Sequence, residues 1–277
     1  MKRKLKGART LLTGASSGIG RALAKQAAKA GAQLVLNARR TELLRSLKAE
    51  ILTEIPNAQI ELVSGDITLA ETRAELLERA NSVFGGVDIL INNAGAAATG
   101  RFEGNSPERL KRVMDLNFNA PVELIRMVIP QMKTWRENQN EKTVPIPPMI
   151  VNLSSIVGLR GVTHYSEYCA AKAAIRAFSQ SIRTELHRYG ISVLIVCPGS
   201  TDTGFFTDYM ENTGEPSWPN HSRVTPEYVA SRILRAIEKD KMEILPFFLG
   251  KVMFHLDHFC PRFLENAMVR YEEREKN

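Results

Sequence analysis

Short apolar runs of strand length recur along the chain at 10–13, 34–36, 60–63, 89–91, 149–153 and 193–196. Between them apolar residues return every three or four positions, as Leu44, Leu47, Ile51 and Ile55 do, and again Ile175, Phe178, Ile182 and Leu186. Strands alternating with helices imply a parallel sheet covered on both faces, an α/β fold. Two helix starts are marked. Ser106-Pro107-Glu108 and Thr225-Pro226-Glu227 each supply a capping hydroxyl, a first-turn proline and an acid near the positive helix end.

Two stretches break this rhythm. Residues 135–148 are polar and then proline-rich, and read as an inserted surface loop. Residues 201–224 lack periodicity and follow a sheet strand, where substrate specificity usually resides; Phe205, Phe206, Tyr209, Met210 and Trp218 make this stretch apolar. The C-terminal segment 247–271 carries Phe248, Val252, Met253, Leu256 and Phe259 at helical spacing, then Pro261, then Phe263, Leu264, Ala267 and Met268. Pro261 splits it into two short helices, each too short to be stable alone, so docking against the domain or a neighbouring subunit is expected, near enough to the 201–224 stretch to help wall the substrate pocket.

The 277 residues, 44% hydrophobic and 24% charged, are ordinary globular usage, and no composition shift divides 1–277 into more than one domain. Lys plus Arg exceed Asp plus Glu by 37 to 30, a modest excess without the basic and aromatic patch of a nucleic-acid binder. Cys169, Cys197 and Cys260 form no C-x-x-C pair, so a reducing compartment, the cytoplasm, is expected. The basic N-terminus is not followed by an apolar signal-peptide core, and no apolar run is long enough to span a membrane. His255, His258 and Cys260 with Asp257 match no structural zinc spacing, so no metal is expected. Membrane-surface binding by the C-terminal stripe is not favoured, because Asp257 and Glu265 offset Lys251 and Arg262.

After the first strand comes T-G-A-S-S-G-I-G, running from Thr13 through Gly14, Ser16, Ser17, Gly18 and Ile19 to Gly20, and then a helix. Glycines there let the backbone approach a pyrophosphate while the helix N-terminus offers amide donors. Tyr168 and Lys172 are four apart, on one helix face that turns toward the sheet. An ammonium beside a phenol favours the phenolate, which suits a tyrosine to proton transfer near neutral pH.

In order and spacing, the glycine turn, Asp66, Asn92-Asn93-Ala94-Gly95, Asn117, Ser155, Tyr168, Lys172 and Pro198-Gly199 resemble the short-chain dehydrogenase/reductase family over about nine-tenths of the chain. The resemblance implies a single-domain, doubly wound Rossmann fold, and hydride exchange between a nicotinamide cofactor and a carbonyl or carbinol carbon. It further implies that Tyr168 is the acid or base, that Ser155 hydrogen-bonds the same oxygen, and that Lys172 binds the nicotinamide ribose and lowers the tyrosine pKa. Ser155, thirteen residues before the tyrosine, is preferred to Ser154. Asn117 completes the set. Pro121, four residues on, has no N–H to give the Asn117 carbonyl, so a kink is expected there, with a water held for proton relay. Asp66 and Ile67 would meet the adenine. Asn92, Asn93, Ala94 and Gly95 would line the floor, and Pro198, Gly199, Thr201 and Thr203 would lie near the nicotinamide amide and phosphates. The family commonly forms homodimers or homotetramers.

The second strand ends L-V-L-N-A-R-R. Ala38 stands where an NAD enzyme places a carboxylate for the ribose hydroxyls, and Arg39 and Arg40 suit a 2′-phosphate, so NADP(H) is the expected cofactor. Arg40 also fits an exposed charge at a helix start. The expected substrate is a hydrophobic ketone or alcohol. The alternative is a non-catalytic dinucleotide sensor on the same fold.

Overall fold

The computed structural model describes residues 3–134, 146–204, 209–213 and 223–274. The chain runs β1 (Arg9–Thr13), α1 (Gly18–Lys29), β2 (Gln33–Ala38), α2 (Thr41–Glu54), β3 (Ile60–Ser64), α3 (Ala70–Phe84), β4 (Ile89–Asn92) and β5 (Ala98–Thr99). It continues α4 (Pro107–Met114), α5 (Ala120–Lys133), β6 (Met149–Leu153), α6 (Ser166–His187), β7 (Ser192–Val196) and β8 (Glu211–Asn212). The last elements are α7 (Pro226–Glu238), β9 (Glu243–Ile244), α8 (Phe248–Phe259) and α9 (Pro261–Arg274).

Among the described residues, seven strands form one parallel sheet in the order β3-β2-β1-β4-β6-β7-β9. Alternation within each strand feeds two cores. Leu12, Leu34, Leu36, Ile91 and Val151 pack with Leu23 of α1, Leu44 of α2 and Ile233 of α7. Leu11, Val35, Leu90 and Ile150 point the other way, onto Leu76 of α3, Leu124 of α5 and Ile182 of α6. The alternating pattern pointed to such a parallel sheet covered on both faces, and the doubly wound Rossmann arrangement is the one the family resemblance implied. Both marked helix starts have formed: Ser106 Oγ accepts from the Arg109 N–H at 3.2 Å, and Thr225 Oγ1 from the Tyr228 N–H at 3.2 Å.

The helix is irregular around Asn117, where the sequence placed a kink. Residues Asp115–Asn119 form a π-helical turn, with the Ala120 N–H donating to the Asp115 carbonyl, and the expected kink takes this form. Three short strands escaped the sequence pattern. β9 is two residues long and begins with a glutamate, while β5 and β8 pair only with each other. The 201–224 stretch is therefore not irregular throughout: Thr201 bridges Val224, and β8 lies inside it. Phe205, Phe206 and Trp218 lie outside the described residues, as do 135–145 of the expected insertion. Among the described residues, no helix is long and apolar enough to cross a membrane, and no His, Cys, Asp and Glu group could hold a metal.

Candidate active site

Strand order reverses between β1 and β4, and ligand crevices in such sheets open beyond the carboxyl ends of the strands at that point. A cleft of about 1410 Å³ lies there, larger than a drug-sized pocket and roomy enough for a dinucleotide and a second molecule.

The floor is built from backbone. Gly14 and Gly18 sit at φ +67° and +52°, which favour glycine. A Cβ on Gly20 would stand 2.1 Å from the Gly14 carbonyl oxygen, and one on Gly14 2.7 Å from Ala94 Cα. The turn is thus folded too tightly for side chains, which leaves its amides and the start of α1 facing the cleft. Asn93 braces it: Nδ2 donates to the Thr13 and Gly14 carbonyls at 3.0 and 2.9 Å. Thr13 Oγ1 in turn accepts from the Asn93 and Ala94 N–H groups at 3.1 and 3.0 Å. Asn92 does not join the floor. It is buried in the sheet and donates to Asn152 Oδ1 at 2.8 Å, because the strand's alternation turns it inward.

The rest of the cofactor set borders the same cleft: Ser16, Ser17 and Ile19 with the turn, Arg39 and Arg40 past β2, Asp66 and Ile67 past β3, and Gly95 past β4. Pro198, Gly199, Thr201 and Thr203 border it beyond β7, with Thr203 against Gly18, whose Cβ would lie 2.8 Å from the threonine methyl. Asp66 Oδ1 accepts from both the amide and hydroxyl of Thr68, so it also fixes its own turn. Arg40 is exposed at the N-cap of α2, as a charge at a helix start is expected to be, and it also reaches the glycine turn. Its Nη2 donates to Ser17 Oγ at 2.8 Å, which holds the guanidinium over the glycine turn.

Ser155, Tyr168 and Lys172 border the same cleft. Ser154 is committed elsewhere, donating to the Lys172 carbonyl at 2.7 Å in a buried bond. Ser155 faces the cleft and hydrogen-bonds the Tyr168 hydroxyl. Asn117 does not border the cleft. It sits behind Gly95, where a Cβ would come within 2.7 Å of Asn117 Oδ1 and 3.2 Å of Lys172 Nζ. Its Nδ2 donates to the Ala96 and Val113 carbonyls, while its buried Oδ1 has no hydrogen-bond partner among the described residues.

Burial sets the titration here. It lowers the Lys172 ammonium to about 8. It also pushes the Tyr168 hydroxyl well above its ordinary value; the Cys169 thiol adds to the rise and the Ser155 hydrogen bond opposes it. The expectation of a phenol lowered by its lysine is overturned. Lys172 Nζ donates to the Leu153 carbonyl at 3.0 Å and stands 5.5 Å from the centre of the Tyr168 ring, so loss of water outweighs the ammonium.

The C-terminal segment, whose apolar spacing pointed to docking near the 201–224 stretch, supplies further wall residues. Phe247 packs on Gly199, and Gly250, Asp257, Leu264, Ala267 and Met268 bring α8 and α9 to the cleft. Arg160 ties them down through ion pairs to Asp257, at 2.9 Å, and to Glu265. Tyr165, one turn before Tyr168, shares a 2.8 Å hydroxyl contact with Tyr209. These contacts join segments far apart in the chain, so no local spacing announces them.

Residues 8–214 match the family model described as short chain dehydrogenase. The chain belongs to that family. This short-chain dehydrogenase is 32% identical over 273 residues to the uncharacterized oxidoreductase YxnA of Bacillus subtilis, covering 97% of this chain and 73% of the relative. It is similar to a short-chain dehydrogenase from Sphingobium yanoikuyae in complex with NADPH, with 27% identity, a TM-score of 0.74 and 97% and 95% of the two chains covered. It is likewise similar to a 3-ketoacyl-(acyl-carrier-protein) reductase from Brucella melitensis complexed with NADH, with 27% identity, a TM-score of 0.75 and 87% and 96% covered. As a short-chain dehydrogenase it is an oxidoreductase of CH–OH and C=O groups that binds a nicotinamide dinucleotide. The cleft suits such a ligand: it opens where the strand order reverses, with the glycine turn and the start of α1 along its floor.

Proposed function

We propose that the protein reduces a hydrophobic ketone or aldehyde, or oxidises the matching alcohol, with NADP(H) as its preferred cofactor. The observation that carries this reading is the convergence of Ser155, Tyr168 and Lys172 on the cleft that the glycine turn floors. In reduction Tyr168 gives its hydroxyl proton to the substrate oxygen, and in oxidation it takes one. Ser155 hydrogen-bonds the same oxygen and orients it. Lys172 binds the nicotinamide ribose hydroxyls, and with an ammonium lowered to about 8 it can exchange a proton near neutral pH. Asn117 fixes the space behind Gly95 in which that ammonium sits. The bound nicotinamide supplies or accepts the hydride.

The preference for NADP(H) is supported by the residues at the end of β2. Ala38 offers no carboxylate to a ribose 2′-hydroxyl, while Arg39 and Arg40 stand on the cleft rim and Arg40 is already held over the glycine turn. A hydrophobic substrate is supported by Leu159, Val162, Phe247, Leu264 and Met268 along the cleft. The test is a panel of ketones and alcohols monitored by NADPH absorbance. Turnover of a bulky ketone with NADPH above NADH is expected. No turnover with any carbonyl, together with intact dinucleotide binding, would favour a non-catalytic sensor.

A further inference from the structure

Beside the cleft lies a buried ion pair that the proposed chemistry does not use. Arg109 of α4 and Glu167 of α6 meet at 3.3 Å, with side chains 0% and 2% exposed. The other end of the guanidinium, Nη1, donates to the Thr99 carbonyl and to Thr213 Oγ1, each at 3.0 Å. Glu167 accepts from Asn105 Nδ2 at 2.8 Å and from Ser166 Oγ at 3.0 Å. The network is not tuned for stability. Among the described residues Arg109 Nε and Thr99 Oγ1 have no hydrogen-bond partner, and burying two charges costs as much as their attraction returns. Such a pair is better explained by what it places.

It places two things at once. Glu167 immediately precedes Tyr168 in the first turn of α6, so its anchor sets where the phenol stands. Thr213 lies in the described stretch 209–213, whose Tyr209 and Asn212 border the cleft. Met210 and Thr213 donate their N–H groups to the Ala97 and Thr99 carbonyls, at 2.8 and 3.0 Å, which docks the segment on β5. Gly100 makes room for this docking. It sits at φ +144°, and a Cβ there would fall 1.9 Å from Thr213 Oγ1 and 3.1 Å from Arg109 Nη1. One guanidinium therefore ties the 209–213 segment to the helix of the proton donor.

We propose that Arg109 and Glu167 are positioning residues that set the distance between the 209–213 segment and the Tyr168 hydroxyl, and so determine which ketones fit. The inference rests on the reading of Tyr168 as acid and base. A substrate whose carbonyl meets Tyr168 presents its body toward Tyr209, and the ion pair holds these two contact points in register.

Three conservative variants test it in the full chain. Arg109→Lys keeps a charge for Glu167 but cannot also reach Thr99 and Thr213. Amide exchange at Met210 and Thr213 should accelerate, and KM for a bulky ketone should rise about fivefold, the worth of one net hydrogen bond, with a smaller change in kcat. Gly100→Ala disturbs the same docking without removing a charge and should show the same split. Glu167→Gln keeps the Thr213 anchor but loosens the first turn of α6. It should lower kcat more than it raises KM, by up to about 10²-fold if the phenol moves by about 1 Å. The proposal is overturned if Arg109→Lys leaves amide exchange at 209–213 unchanged, or if all three variants alter kcat and KM in equal proportion. Absence of turnover by the unaltered protein would count against the proposed reaction, while the exchange measurement would still decide the link between Arg109 and the segment.

Discussion

The two sides of the cleft are built by different means. On the cofactor side the ligand would meet backbone: a glycine turn between β1 and α1, braced by Asn93 and Thr13, all within segments that the sheet holds in register. On the substrate side it would meet side chains lent by distant segments, with Tyr209 held by Tyr165, Thr213 by Arg109, and α8 and α9 by Arg160. A backbone site can be lost by adding one carbon atom. A site of lent side chains loosens by degrees, which leaves it free to change substrate while the dinucleotide face stays constant.

The largest effect is expected where the two sides meet. Tyr168→Phe should lower kcat by about 10²- to 10⁴-fold, the range general acid–base catalysis supplies, while calorimetry shows unchanged NADPH affinity. An equal loss of affinity would place the tyrosine on the cofactor side of the comparison.

Lys172 gives that meeting point its pH dependence. Below about 8 the folded protein keeps the ammonium; above it the charge is lost, so kcat/KM for reduction should fall as pH rises through about 8. For stability the sign is opposite. Between about 8 and the ordinary value of 10.5 the unfolded chain binds the proton that the fold has released, so this group makes the protein more stable as pH rises through that window. Lys172→Met should abolish both trends, as read from pH–rate profiles and melting temperatures.

On the cofactor side, Gly20→Ala should cost about 1–3 kcal/mol by overpacking and abolish measurable dinucleotide binding, since the new Cβ would lie 2.1 Å from the Gly14 oxygen. Retained binding in a calorimetric titration would show the turn to be more pliable than its packing indicates. Arg39→Ala should erode the preference for NADPH over NADH by about 1.5–3 kcal/mol, the worth of a hydrogen bond to a charged group, and added salt should shrink the same preference. Equal affinities in the unaltered protein would remove the argument from Ala38.

The smallest effect belongs to the substrate side. Arg160→Ala releases two ion pairs, to Asp257 with both side chains about a quarter exposed and to the more exposed Glu265, so each should contribute no more than about 1 kcal/mol to stability. KM for a bulky ketone should nevertheless rise, with NADPH affinity unchanged. A matching loss of NADPH affinity would mean that α8 and α9 serve both sides.

The cofactor side was legible because its signals are local. The T-G-A-S-S-G-I-G turn, Asn93 to Gly95 and the Tyr168 and Lys172 spacing each lie within a few residues, and period-2 and helical patterns place them at strand ends and helix starts. Where local reading failed, a distant partner had intervened. Asn92 turned into the sheet toward Asn152, and β5 and β8 gained their pairing only from each other.

By itself the sequence determined the alternation of strands and helices, the glycine turn, the break at Pro261 and the residues that would do chemistry, because backbone preference and hydrophobic period act over a few residues. Tertiary structure decided the protonation of that chemistry and the shape of the substrate side. Burial, which depends on every element packed around α6, lowers Lys172 and raises Tyr168 against what their spacing alone implies. The bonds from Arg109 to Glu167 and Thr213, and from Arg160 to Asp257 and Glu265, span 58 to 105 positions, a separation over which no sequence period carries information.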